Sequence, residues 1–95
     1  MSIQNEYERL ENMVTDFTLT SEQRQAASDA LDEIDNKSIL DSWKNIENSG
    51  EQLTALTQRL SNVISDIQNN ISVLDSMDEL SEIINGVVDI VESSE

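Results

Sequence analysis

Apolar residues recur along this chain at steps of three and four, the spacing at which side chains share one face of an α-helix. Ile3, Tyr7, Leu10, Val14 and Phe17 form the first such seam, which predicts a helix over residues 2–18. The stretch "TLTSEQ" interrupts it: Thr18 and Thr20 are weak helix formers, and Thr20 with Gln23 has the spacing of a capping box. A second helix over 21–35 then places Ala26, Ala27, Ala30, Leu31 and Ile34 on its apolar side. Three of the chain's four alanines lie there, which suits close approach to a neighbouring helix. "DNKS" at 35–38 reads as a turn, with Ser38 as the N-cap of the element that follows.

From Ser38 onward the seam reads Ile39, Trp43, Ile46, Gly50, Leu53, Thr57, Leu60, Ile64, Ile67, Ile71, Leu74, and every step is three or four. Ser49-Gly50 followed by Gln52 could cap a new helix, but because the phase passes through unbroken the pattern favours one long helix over about 38–75 with room for a kink at 49–50. Ser76 and Glu79 mark the start of a last helix, 76–92, whose apolar set is Met77, Leu80, Ile83, Ile84, Val87, Val88 and Val91. Short connections make successive helices antiparallel neighbours. The fold class predicted is all-α: a single domain over 1–95, built as a small helical bundle or helical hairpin around the long central helix, and oligomeric.

The central helix has unusual flanks. With Thr57, Ile64 and Ile71 at heptad position a, Leu53, Leu60, Ile67 and Leu74 fall at d. Position g holds Leu56, Val63 and Asn70, and position e holds Thr54, Ser61 and Gln68. A two-stranded coiled coil places Glu and Lys on those flanks to choose its partner. An uncharged a/d/g stripe instead suits a helix that touches two neighbours. Charge is distributed to match: residues 1–49 carry 11 acids and 4 bases, 50–74 carry Glu51, Asp66 and Arg59, and 75–95 carry 7 acids and no base. The expectation is that other helices, or a second chain, wrap residues 50–74. Trp43, Leu53, Leu60, Ile64, Ile67 and Ile71 are the candidate packing and oligomer-interface residues.

The net charge of −15 disfavours nucleic acid and anionic membranes as direct ligands and favours basic proteins. No apolar run is long enough to span a membrane, no basic-then-apolar leader opens the chain, and cysteine is absent, so a cytoplasmic location is expected. Without histidine or cysteine there is no imidazole acid/base group, thiol nucleophile or serine–histidine triad, and two isolated glycines build no phosphate loop. A non-enzyme with no cofactor is the reading. Calcium loops starting at Asp32 or Asp35 fail at their third position, which is Ile34 or Lys37, so no metal site is assigned.

What remains is electrostatic. Asp75, Asp78, Glu79, Glu82 and Asp89 line one side of the last helix and are the candidate acidic residues for binding a partner. The function expected is that of an acidic interaction module: an adaptor, assembly subunit or stoichiometric inhibitor that binds a basic protein and self-associates. An alternative is a mimic of nucleic acid that inhibits a DNA- or RNA-binding or defence enzyme, as phage-encoded inhibitors do. Trp43, midway along a helical chain of this length, gives a resemblance to the WXG100 secretion substrates, which implies a small secretion-associated hairpin as a third reading. The motif here is Trp43-Lys44-Asn45, without the glycine, so the family is not assigned.

Overall fold

A computed structural model describes residues 2–93 as an all-α bundle. Its helices are α1 (Ile3–Val14), α2 (Ser21–Lys37), α3 (Leu40–Ile46), α4 (Glu51–Gln68) and α5 (Val73–Ser93). Four of them run up, down, up and down. Tyr7 on α1 reaches Asp35 on α2, Arg9 on α1 reaches Ser61, Ser65 and Gln68 on α4, and Arg59 on α4 meets Glu79 on α5. Each long helix therefore lies beside two others, and the bundle measures 40 × 21 × 20 Å. The short α3 crosses the base, where the main-chain N–H of Ile3 donates to Glu47 at 2.8 Å.

Local chemistry sets most helix ends. Ser2 caps α1, accepting from the Asn5 amide. The capping box at the start of α2 forms as the spacing predicts: Thr20 Oγ1 accepts from the Gln23 amide, and Gln23 Oε1 accepts from the Thr20 amide. Ser38 takes a different role from the one expected. It closes α2 in the left-handed region at φ 54°, and α3 begins after Ile39 with no side-chain cap.

The long helix predicted over 38–75 is three segments. The chain leaves helix after Ile46, turns through residues 47–50, and starts α4 from an extended Gly50. Phase survives because α3 and α4 face the same core: Ile39, Trp43 and Leu53 are all nearly or fully enclosed, so their register follows from a shared interior and needs no continuous helix. At the other end α4 stops at Gln68 in a Schellman motif. Asn70 adopts φ 58°, its amide bonds the Ile67 carbonyl, and the Ile71 amide bonds the Asp66 carbonyl. Ile71 is thereby turned outward, 52% exposed, and is not a packing residue; Leu74 is exposed as well. The last helix starts at Val73, so Ser76 is a buried residue of its first turn and not its cap. The first helix ends at Val14 where 2–18 was expected, and Phe17 leaves the seam to stand in the α1–α2 turn.

The core is filled from every helix: Ile3 and Leu10 of α1, Ala27, Ala30 and Ile34 of α2, Trp43 of α3, Leu60, Ile64 and Ile67 of α4, and Leu80, Ile83, Ile84 and Val87 of α5 are fully enclosed. The alanines of α2 allow the close approach anticipated for them, with α1 on one side and α5 on the other. Charge is scarce on α4 for two reasons. Its inner face (Leu53, Thr57, Leu60, Ser61, Val63, Ile64, Ile67) is covered by α1, α2 and α5. Its outer face (Gln52, Thr54, Ala55, Gln58, Asn62) is open to water and merely neutral, so wrapping covers one side of the helix and not its whole circumference.

Candidate functional site

Three polar arrangements, buried in whole or in part, hold the bundle in register. The first is at the base. Trp43 is fully enclosed and donates from Nε1 to Thr57 Oγ1 at 2.9 Å, and that hydroxyl donates to the Leu53 carbonyl at 3.0 Å. A threonine at a core position of α4 is thus explained, since a buried indole N–H needs an acceptor. The second links α1 to α4: Arg9 pairs with buried Glu6 at 2.9 Å and donates to Ser61, Ser65 and Gln68. The third is Gln23, whose Nε2 donates to the carbonyls of Ile67 and Gln68, both at 2.9 Å. One amide closes the capping box of α2, takes up the Gln68 carbonyl and adds a further donor to the Ile67 carbonyl, which the Asn70 amide already bonds. None of these cross-links was visible in the sequence, because each joins residues more than a dozen positions apart. Only Thr57, a polar residue at apolar phase, hinted at one of them.

The residues expected to pack are used within one chain. Trp43, Leu53, Leu60, Ile64 and Ile67 are buried among the chain's own helices, and Ile71 stands outside them. The seam is spent, so contact with a second copy must use another surface.

The five acidic candidates all lie on α5 and all are exposed: Asp75, Asp78, Glu79, Glu82 and Asp89. Each lies three, four or seven positions from another of the five, which brings them along one side of the helix. Arg59 of α4 leans across to this row, 3.2 Å from Glu79 and 3.9 Å from Glu82. Both partners are well solvated, so the pairing stabilises the fold by little. It does set a cation in the middle of the row.

Two ionisable side chains away from this row are held by hydrogen bonds. The Tyr7 hydroxyl donates to Asp35 Oδ1 at 2.8 Å, and that bond, with partial burial and the nearby carboxylates, pushes its pKa up to about 12. It is a held proton, not a base. Asp16 accepts from the hydroxyl and the amide of Thr18, which holds its carboxyl below the usual range. An open groove beside the 47–50 turn is lined by Asn48, Ser49, Gly50, Glu51, Thr54, Ala55 and Gln58, a set with a single ionisable group. Among the described residues, no helix is long and apolar enough to cross a membrane, and no group of three acidic residues is placed to hold a metal ion.

The remaining surface feature is apolar. Phe17, Ile71 and Leu74 are 79%, 52% and 76% exposed, and the Arg24 guanidinium lies 4.7 Å above the centre of the Phe17 ring. No protein-family model, curated protein or solved structure matches the chain.

Proposed function

We propose that this protein is a non-enzymatic acidic interaction module that docks a basic protein partner through its exterior. The observation that supports this most is the α5 row: five exposed carboxylates, a single opposing arginine, and a core already closed beneath them. A chain at −15 attracts basic surfaces over several ångströms and accelerates their encounter, whereas acidic copies of itself are repelled. Adaptor, assembly subunit and stoichiometric inhibitor all share this physical step.

The nucleic-acid mimic is the weaker alternative. Arg59 offsets part of the charge at Glu79 and Glu82, and a basic groove built to track evenly spaced phosphates meets a cation there. The secretion-associated hairpin loses support too, since Trp43 sits in a short helix under a four-helix bundle and not beside the turn of a two-helix hairpin. The test is charge reversal on surface positions: Glu79→Lys, Glu82→Lys and Asp89→Lys together, assayed by calorimetry against a cationic helical peptide at low and physiological salt. Weakened binding, and a shallower salt dependence than the parent chain, is the expected result. Equal affinity and equal salt dependence would exclude the α5 row as the electrostatic surface.

A further inference from the structure

Among the described residues, the exposed large apolar side chains are Phe17, Ile71 and Leu74, and they share one end of the bundle. The Gln23 amide ties the first turn of α2 to the last carbonyls of α4, so the α1–α2 turn at 15–20 and the α4–α5 turn at 69–72 lie side by side. We propose that this end is a docking surface for a basic protein segment that presents apolar side chains among lysines and arginines. This deepens the interaction-module reading and rests on it.

Charge decides between occupants. Within residues 14–24 and 66–78, the two turns and the helix ends that flank them, stand Asp16, Glu22, Asp66, Asp75 and Asp78 against Arg24; Arg9, which reaches Gln68 from α1, is already paired with Glu6. Arg24 is already engaged over the Phe17 ring. A second copy would bring the same acidic rim against itself, and an anionic lipid surface would be repelled likewise. A segment with cations around an apolar centre satisfies both parts: its apolar groups cover Phe17, Ile71 and Leu74, and its cations meet the rim. The surface is also held ready. Asp16 is fixed by two bonds from Thr18, and the α4–α5 turn is closed by its own amide bonds, so little ordering remains to be done on binding.

The test titrates the full isotope-labelled chain with three synthetic helical peptides and follows amide shifts. One carries a leucine face among lysines, one has serine in place of each leucine, and one has glutamate in place of each lysine. The same titrations are run on Phe17→Ser/Ile71→Ser/Leu74→Ser, whose sites are exposed and whose fold is checked by circular dichroism. The expected result is that the leucine–lysine peptide shifts residues 15–20 and 69–75, and that the serine variant weakens it by about tenfold or more. If the leucine–lysine peptide instead shifts only α5 beyond Glu79 and binds the serine variant equally, the docking end is overturned while the interaction reading stands. If neither cationic peptide binds, both fall. If the glutamate peptide binds as tightly as the lysine one, or if the free chain dimerises through this end, the basic occupant is overturned.

Discussion

Replacing Thr57 by valine removes one oxygen from the base of the bundle and keeps the shape of the side chain. In the parent chain that oxygen accepts from the Trp43 indole at 2.9 Å, in a place where the tryptophan is fully enclosed. The valine leaves a buried N–H with no acceptor, which costs about 1–3 kcal/mol. Loss of the second bond, from the threonine hydroxyl to the Leu53 carbonyl, adds little, because that carbonyl keeps its helical partner. For a domain of this size each kcal/mol moves the melting temperature by roughly 4–8 °C, so the fall is on the order of 10 °C. Urea titration followed by circular dichroism measures it directly. The decisive comparison is the same substitution in a Trp43→Phe background, where no donor is left stranded. There the valine is expected to cost less than about 0.5 kcal/mol. A loss in the parent chain equally small, or an equal loss in both backgrounds, would refute the hydrogen-bond argument.

Three further expectations follow from single contacts. Tyr7 is the chain's one tyrosine, so its ionisation is read cleanly by ultraviolet absorbance: the midpoint is expected well above 10, near 12, and Asp35→Ala should return it toward 10. Because the folded-state value is raised, the stability this proton bond contributes is complete below pH 10 and is lost as pH climbs toward 12. Gly86 lies within α5, and an added Cβ would meet the Leu56 Cδ1 methyl at 3.3 Å; that side chain is only half-buried and can give way, so Gly86→Ala is expected to stabilise by up to about 1 kcal/mol in chemical denaturation. Ser38 sits at φ 54°, a region that costs a side chain roughly 1 kcal/mol, and Ser38→Gly should raise stability by a similar amount in the same assay.

These residues also show what could and could not be read from the chain. Helical class, the α2 capping box and the burial of Leu53, Leu60, Ile64 and Ile67 follow from local spacing, and local spacing survives folding. The two breaks inside the supposed long helix could not be read this way. At residues 47–50 a turn happens to keep phase with its flanking helices, so periodicity alone cannot register it. At Asn69-Asn70 the signal was present, since asparagine is a common left-handed residue after a helix, but an apolar Ile71 at the right step concealed it. Phe17 misleads in the same way, being apolar, in phase and outside the helix. The surfaces were legible in part: acids on one side of α5 follow from spacing, whereas the placing of Phe17, Ile71 and Leu74 at one end of the bundle depends on the Gln23 cross-link, which no local pattern announces.

All of this rests on a core completed by one chain. Sedimentation equilibrium across a wide range of protein concentration, paired with thermal melts over the same range, tests it most directly. A 10.7 kDa particle is expected throughout, with a cooperative melt whose midpoint does not depend on concentration. A dimer, with a midpoint that rises as protein is added, would show that the apolar seam needs a second copy and would contradict the closed bundle.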